Sequence, residues 1–257
     1  MLFALAEWLF PAQRRPWTRD SWLSATYLLF TGKLSFFAIV LVPIFRHGWL
    51  GLGLPSLHLD QRLPLWLYAP FAVLVVTFTA YWAHHGMDRI PPLWHIHKIH
   101  HSASNLGWTA VFHRHSLEFF LHTPLHLTAL MLLGTDLVAP FGIVFQFIDL
   151  LGHSNVGVNL GRLGYFLSTP RAHRVHHSIL PQHFDRNFGN TIMLWDHVFG
   201  TFHYEAVSPR RFGIDQPIPK SFVKQQLLPF AWIARDVRAK FARRAAPAPP
   251  GSPGPGD

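Results

Sequence analysis

Two long runs of apolar residues dominate the first third of the chain. Residues 22–42 are interrupted only by Lys33, and residues 63–83 contain no charged side chain. Each run has about 20 residues, which is the length that an α-helix needs to cross the hydrocarbon core of a bilayer. The second run ends directly on His84. The pattern predicts a membrane hairpin whose second helix carries a histidine to the membrane surface.

A second pair of apolar runs, residues 119–133 and 137–151, is joined by the turn Gly134-Thr135-Asp136. These runs are shorter, so this hairpin is either partly inserted or tilted against the first one. The four runs predict an all-α fold, namely an integral membrane four-helix bundle made of two helical hairpins. A histidine-rich segment follows each hairpin, and these segments predict a helical cap at one end of the bundle.

The C-terminal segments extend the same unit. Residues 230–241 mix apolar with basic residues, which fits an interfacial helix on anionic lipid and an ordinary packed surface helix equally well. Residues 245–257 are rich in Pro, Ala and Gly, and we expect them to form a disordered tail. Residues 1–244 are therefore predicted to form a single membrane-embedded domain.

Composition supports a membrane protein. Hydrophobic residues make up 49% of the 257 residues and charged residues only 14%, which is well below the usual share of about 25%. The formal net charge of +9 fits an anionic membrane surface and an acidic partner protein. For a chain this apolar, both readings are favoured over nucleic acid, which we do not expect as a partner.

The distribution of basic residues predicts the orientation. Arg14, Arg15 and Arg19 precede the first apolar run, and Arg89 and Lys98 follow the second. The positive-inside tendency then places both termini and all histidine clusters on the cytoplasmic side of a multi-pass protein, which in a bacterium means the inner membrane. The N-terminal arginines follow a short apolar stretch instead of preceding it, so we expect no signal peptide.

Histidine is the residue that carries the chemistry. The chain has 19 histidines and no cysteine, which excludes disulfides, iron–sulfur clusters, thiolate-bound haem and cysteine zinc sites. Two segments repeat one pattern: His97-Lys-Ile-His100-His101-Ser102 and His173-Arg-Val-His176-His177-Ser178. Positions i, i+3 and i+4 share one face of a helix, so each segment directs three imidazoles to a common point, where they can serve one metal or straddle two. Imidazole without thiolate suits iron, zinc, copper or nickel.

Further candidates stand at the ends of apolar runs. His84 and Asp88 are four residues apart, as are Asp149 and His153. Ionisable groups so close to hydrocarbon are costly, so they are usually functional or paired. We favour a functional role for His84 and leave Asp149 open between function and structural pairing. His122 and His126, four apart inside the third run, fit a buried hydrogen-bonded pair somewhat better than metal ligands.

The motifs and their order resemble the fatty acid hydroxylase/sterol desaturase superfamily over residues 75–205. The matching segments are Tyr81-Trp82-Ala-His84, Pro91 to Ser102, Gly152-His153-Ser-Asn155, Thr169 to Ser178, Asn187-Phe-Gly189 and Trp195 to Thr201. The resemblance implies a membrane enzyme with a four-helix membrane part and two iron ions held by histidines. It also implies O2-dependent hydroxylation or desaturation of a lipid such as a fatty acyl chain, a sterol or an alkylglycerol.

The resemblance also implies a ligand set. The residues that match the histidine motifs of the superfamily are His84, His97, His100, His101, His153, His173, His176 and His177. Asp88 stands where the first motif has its second histidine, and it is itself a competent iron ligand, so we include it. A second departure is His113-Arg-His115-Ser-Leu-Glu118, where the superfamily often has Arg-x-His-Pro-x-Glu. We expect this segment to shape the pocket and not to bind metal.

We therefore predict a non-haem di-iron oxygenase that hydroxylates a lipid with O2 and external electrons, and no catalytic residue beyond the metal ligands. The chain has no electron-donor domain of its own, which implies a separate ferredoxin or cytochrome-b5-type donor. A desaturase of the same family and a non-catalytic metal-binding membrane protein remain the alternatives. A transporter would carry its ligands at the membrane midplane in broken helices, whereas here they gather at the helix ends.

Overall fold

The computed structural model of the protein describes residues 2–134 and 138–245, with the side chains of residues 33–39, 138–141 and 244–245 outside that description. Within this part of the chain all regular structure is helical, and the β features are isolated bridges. The prediction of an all-α fold is thus confirmed. The α-helices are α1 (Leu2–Leu9), α2 (Arg19–Gly51), α3 (Leu59–Arg62), α4 (Leu65–Arg89), α5 (Pro91–His101), α6 (Ser116–Leu133), α7 (Val138–His153), α8 (Pro170–His176), α9 (Leu194–Phe199) and α10 (Phe222–Ala245).

The four predicted apolar runs correspond to α2, α4, α6 and α7, although the helix ends differ from the ends of the runs. Helix α2 starts at a capping box, in which Thr18 and Ser21 exchange side-chain and backbone hydrogen bonds, and it continues to Gly51. Helix α6 ends at Gly134, whose φ of 82° is left-handed and suits glycine. Thr135 and Asp136 of the predicted turn lie outside the described residues.

Two helices in the described part of the chain are long and apolar enough to cross a membrane, namely Leu65–Arg89 and Ser116–Leu133. A shorter apolar segment, Gly142–His153, lies in α7. Many large apolar side chains on these helices are exposed, for example Trp66 at 76% and Ile143 at 70%. Exposed apolar surface of this extent is typical of a face that meets lipid or another protein.

The packing of the helices brings the histidine-rich segments to one end of the apolar helices. Helix α6 contacts both α2 and α4, and α4 contacts α5 immediately after it in the chain. Helix α7 contacts α8 and the short 3-10 helix Trp108–Phe112, which also packs on α2. The two histidine-bearing helices α5 and α8 are therefore held over the ends of the long apolar helices.

Helix α10 packs against α5 and α2. It begins at Phe222 and contains Pro229, so it is longer than the helix predicted from residue 230 onwards. Its Gln225 is buried and accepts hydrogen bonds from Tyr27 Oη at 2.7 Å and from His113 Nε2 at 2.9 Å. Trp232 packs in the same core as Tyr27. The predicted tail lies outside the described residues, except for Ala245, which ends α10.

Candidate metal centre

Two short helices, α5 and α8, carry the repeated histidine motif, and both begin with proline. Helix α5 starts with Pro91 and Pro92, whereas α8 starts with Pro170 after Thr169, which accepts a hydrogen bond from Ala172 N at 3.3 Å. Proline suits the first turn because the N–H there has no partner within the helix. Both motifs lie in the C-terminal part of their helix. The negative end of the helix dipole at that position favours a bound cation.

Longer apolar helices supply the remaining candidate ligands. His84 and Asp88 lie one turn apart at the end of α4, and His153 is the last residue of α7. The nine residues predicted from the sequence as ligands all come together, in two neighbouring groups of buried or nearly buried side chains. The structure therefore brings together every residue of the predicted set.

The first group, called here the Asp88 group, places four imidazoles around one carboxylate. Asp88 Oδ1 lies 3.4 Å from His101 Nε2 and 3.9 Å from His97 Nε2. Asp88 Oδ2 lies 3.7 Å from His84 Nε2 and 3.8 Å from His176 Nε2. These nitrogens and Asp88 Oδ2 are buried and have no hydrogen-bond partner. Arg89, a possible alternative partner for Asp88, is paired with Asp185.

The second group contains four imidazoles and no carboxylate, and it is called here the four-histidine group. His153 Nε2 lies 3.0 Å from His100 Nε2 and 2.9 Å from His173 Nε2, and His173 Nε2 lies 3.1 Å from His177 Nε2. Four ligands at about 2.0–2.1 Å from one metal ion are separated by about 3.3 Å when their arrangement is tetrahedral. The spacing of these nitrogens is close to that value, so a small rearrangement would accommodate an ion.

The opposite ring nitrogens hold the imidazoles in place. In each of five candidate ligands, Nδ1 lies within hydrogen-bond distance of an oxygen acceptor. The contacts are His84 with Phe188 O at 2.8 Å, His97 with Glu118 Oε2 at 3.2 Å, His100 with His113 O at 3.1 Å, His153 with Asp149 O at 2.8 Å, and His176 with Arg186 O at 2.9 Å. An Nδ1–H that donates to such an acceptor leaves the lone pair on Nε2, which is the arrangement seen in metal-bound histidines.

This assignment has a direct consequence in the four-histidine group. His100 and His153 both donate from Nδ1 to carbonyl oxygens, so in the neutral rings both Nε2 atoms carry lone pairs. These two lone pairs face each other across 3.0 Å. Two such acceptors repel unless a cation lies between them. The geometry therefore fits a metal ion better than a hydrogen bond.

Burial favours the neutral form of the six candidate ligands in the two repeated motifs. It is the largest cause that lowers the pKa of His97, His100, His101, His173, His176 and His177, and the neighbouring imidazoles lower it further. For His101 the pKa falls to about 3. Neutral imidazoles are the form that binds metal. Imidazole with one carboxylate and no thiolate suits iron as it does zinc, copper or nickel, and the donors form two groups, each of which could hold one ion.

A tight turn near the second motif supplies two of the acceptors. Asn187 in this turn has a φ of 57°, and Asp196 accepts hydrogen bonds from Phe188 N at 2.7 Å and from Gly189 N at 2.8 Å. A Cβ at Gly189 would collide with the carbonyl oxygen of Ile192, so glycine is required there. The turn thereby directs the carbonyls of Arg186 and Phe188 toward candidate ligands.

The sequence alone left His113, Asn187 and Asp196 open between supporting the ligands and serving as surface, turn or cap residues, and it did not identify the backbone acceptors. Glu118 is buried beside His97, and the backbone of His113 accepts from His100, so this segment positions ligands as well as shaping the pocket. Acceptors of this kind belong to the backbone or to distant segments, so no spacing signal could reveal them. Glu118 is the exception, because it matches the glutamate of a motif of the superfamily.

The undecided candidates lie outside both groups. Asp149 Oδ1 lies 3.3 Å from His153 Nδ1, on the side of the ring opposite the other imidazoles, and its Oδ2 lies 3.4 Å from Arg114. His122 and His126 have ring centroids 6.3 Å apart, and neither belongs to either group. The geometry thus gives Asp149 a contact with a ligand ring and leaves the two histidines on α6 apart from the centre.

Comparison with known proteins gives a consistent result. Residues 69–201 match the family model described as fatty acid hydroxylase. An ornithine lipid hydroxylase of Rhizobium tropici is 32% identical over 174 residues, which are 66% of this chain and 53% of that protein. No solved structure shows a significant match.

Relatives from animals show the same similarity. Alkylglycerol monooxygenases of Xenopus tropicalis and Homo sapiens are each 28% identical, over 69% and 71% of this chain. The aligned regions cover 39% and 40% of those proteins. The chain therefore spans about half or less of the length of the curated relatives that it matches.

Proposed function

This chain belongs to the fatty acid hydroxylase family, and from that premise we propose that it is a membrane di-iron oxygenase that hydroxylates a lipid. One observation carries the proposal: nine buried or nearly buried donors, predicted as ligands from the sequence, converge in two adjacent groups. The locked Nδ1 atoms, which leave Nε2 free to bind, support it further. Residues 1–244 would form the single domain that carries this activity.

The two donor groups define the ligands of each iron. The Asp88 group would hold one ion through His84, Asp88, His97, His101 and His176. The four-histidine group would hold the other through His100, His153, His173 and His177. Each repeated motif contributes to both groups, so the two ions would bind as a pair.

The reaction follows from the chemistry of such a pair. Two bound irons supply an oxidant strong enough for an unactivated C–H bond, which becomes C–OH while O2, two electrons and two protons yield one water. The protein's contribution is the fixed position of its ligands. Backbone carbonyls and Glu118 hold the imidazole rings in position. The burial of the rings keeps their donor atoms away from bulk water.

A membrane topology follows from the apolar helices. We propose that α2, α4, α6 and α7 form the membrane part as a four-helix bundle, with the centre in a cap on the cytoplasmic side. The exposed apolar side chains of α4 and α7 support contact with lipid. Residues 46–62, which include the end of α2 and the whole of α3, would then face the opposite side of the membrane.

Cysteine labelling tests this orientation, because the native chain has no competing thiol. Ser56→Cys should react with an impermeant reagent from outside the cell, whereas Ser252→Cys should react only after the membrane is opened. Equal protection of the two positions would contradict the proposed topology.

The names of the relatives suggest the substrate class. Those proteins are described as hydroxylating ornithine lipid and as monooxygenating alkylglycerol. We propose a membrane lipid as substrate here, with a separate ferredoxin or cytochrome-b5-type protein as electron donor. The net charge of +9 would favour an acidic donor.

Lipid analysis of a host with and without the gene tests the activity. Hydroxylation predicts lipids that gain one oxygen atom and incorporate the label from 18O2. Desaturation predicts loss of two hydrogen atoms without label. A protein that holds two irons but changes no lipid and consumes no O2 with an electron donor would instead be a non-catalytic metal-binding protein, and the proposal would be wrong.

A further inference from the structure

A third cluster of metal-binding side chains lies outside the centre described above. His183 is the last residue of the 3-10 helix Pro181–His183, which follows the second histidine motif. His203 and Glu205 lie two residues apart in the segment after α9. The fold thus joins two segments of the chain through three side chains that no part of the proposed hydroxylation uses.

The three donors converge on a small volume. Glu205 Oε1 lies 2.9 Å from His183 Nε2 and 3.1 Å from His203 Nε2. The two imidazole centroids are 5.3 Å apart, and the three donor atoms all lie within 4.8 Å of one another. Ligands bound to one tetrahedral ion at about 2.0–2.1 Å have comparable separations of about 3.3 Å.

The surroundings hold these side chains in position but leave one side open. His183 is buried at 2% exposure, whereas the side chains of His203 and Glu205 are about one third exposed, at 31% and 33%. The backbone of His203 is fixed by Asn187, whose Oδ1 accepts from His203 N and whose Nδ2 donates to His203 O, both at 2.8 Å. An ion could therefore enter from solvent and complete its coordination with water.

We propose that His183, His203 and Glu205 form a third metal site, which binds one divalent transition-metal ion such as Zn2+. Two neutral imidazoles and one carboxylate are a donor set that zinc accepts with water in the fourth position. Two imidazoles and a single carboxylate disfavour Ca2+ and Mg2+, which require more oxygen ligands. Binding would displace the ring protons that point at Glu205.

The position of the site suggests its effect. Asn187 fixes His203 and also donates to Ala172 O at 3.0 Å, next to the second histidine motif. The same turn carries the carbonyls of Arg186 and Phe188, which accept from His176 and His84. A metal ion at the third site would tie down the two segments that flank this turn, and it would thereby stabilise the support of the Asp88 group.

Chemical modification of the full-length protein in lipid nanodiscs tests the site directly. The iron-loaded protein is treated with diethyl pyrocarbonate, with and without micromolar Zn2+, and each histidine is quantified by peptide mass spectrometry. Because the ion occupies the Nε2 lone pair, we expect modification of His203 to slow about tenfold in zinc. His197, which is exposed and lies nearby in the sequence, serves as the control and should react at an unchanged rate.

Metal counting supplies the second measurement. After incubation with Zn2+ and gel filtration, the wild-type protein should hold one zinc per chain in addition to its iron. Glu205→Gln and His203→Ala should lose that zinc and keep the iron, and His197→Ala should keep both. Unchanged reactivity of His203 in zinc, or equal zinc uptake by wild type and Glu205→Gln, would overturn the proposal. The iron content reports separately on the centre, so the two proposals can fail independently.

Discussion

The Asp88 group and the four-histidine group are neighbours, since His101 and His177 stack with ring centroids 4.5 Å apart, but they are constructed differently. The Asp88 group contains a carboxylate, and one of its rings is held by a side chain, Glu118. The four-histidine group contains only imidazoles, and its two locked rings contact backbone carbonyls, with the Asp149 carboxylate also 3.3 Å from His153 Nδ1.

This difference indicates that the two bound irons would not be equivalent. An anionic donor stabilises the higher oxidation state, so the iron of the Asp88 group should have the lower reduction potential. The four-histidine group, with neutral donors alone, should favour the ferrous state. Substitution of Glu118 should therefore affect mainly the Asp88 group, and substitution of Asp149 mainly the four-histidine group, because each carboxylate lies beside a ring of one group.

The largest effect is expected from removing one ligand of each group. His100→Ala combined with His176→Ala should abolish iron binding and turnover, because each group loses an imidazole that no neighbour replaces. Iron analysis of the purified protein checks this, with circular dichroism to confirm that the helices persist and His197→Ala as the matched control. Full iron retention in the double variant would remove both proposed groups.

The next effect separates the two groups at Asp88. We expect Asp88→Ala to lose one of the two irons and nearly all turnover, whereas Asp88→His should retain both because an imidazole replaces the carboxylate. Mössbauer spectroscopy of the 57Fe-loaded protein identifies which iron is lost. Asp185→Asn, which removes an exposed carboxylate paired with Arg89, is the matched control.

A result against Asp88 as a ligand is equally clear. If Asp88→Asn keeps two irons with unchanged spectra and most of its turnover, the carboxylate only balances charge among the imidazoles. The two groups would then differ only in which carboxylate lies beside a ligand ring, Glu118 at His97 and Asp149 at His153.

A smaller and selective effect is expected at Glu118. Glu118→Leu removes the acceptor of His97 Nδ1, and loss of such a partner typically lowers metal affinity about 10- to 100-fold. Chelator competition should therefore release the iron of the Asp88 group first. Glu118→Gln keeps an oxygen acceptor and should have a milder effect. Equal release of both irons from Glu118→Leu would show that the two groups are coupled and not independent.

The smallest effect is expected at Asp196, which acts on the ligands through a turn. In Asp196→Asn an amide N–H would face a backbone N–H in place of a carboxylate oxygen, at a cost of about 1–3 kcal/mol in the free energy of unfolding. The turn that directs Phe188 O to His84 should loosen, so iron affinity should fall slightly. Denaturation of the protein with both irons bound measures the loss of unfolding free energy in Asp196→Asn. Thr201→Val is measured in the same way for comparison. An unchanged midpoint would exclude this role.

Much of the molecule could be predicted from local pattern. The four apolar runs predicted helices α2, α4, α6 and α7, because a continuous apolar run can be recognised without knowledge of distant residues. The spacing of the two histidine motifs predicted three imidazoles on one face of each helix. In the structure the motifs lie at the ends of α5 and α8, with His177 as the cap residue of α8, and each motif contributes to both groups. The ends of helices were predicted less accurately. Helix α10 begins before Pro229, because Gln225 in its first turn accepts a hydrogen bond from Tyr27.

The sequence by itself predicted the nine candidate ligands, through helical periodicity and the resemblance to the superfamily, and the structure brings them together. It could not determine how those residues divide between two groups, because each motif contributes to both and the division depends on helix packing. Only the tertiary structure decided that Asp88 joins the imidazoles of α5 and α8, and that Glu118 and the Arg186 and Phe188 carbonyls orient them. These contacts join residues far apart in the chain, and hydrogen bonds to backbone atoms leave no mark in side-chain identity.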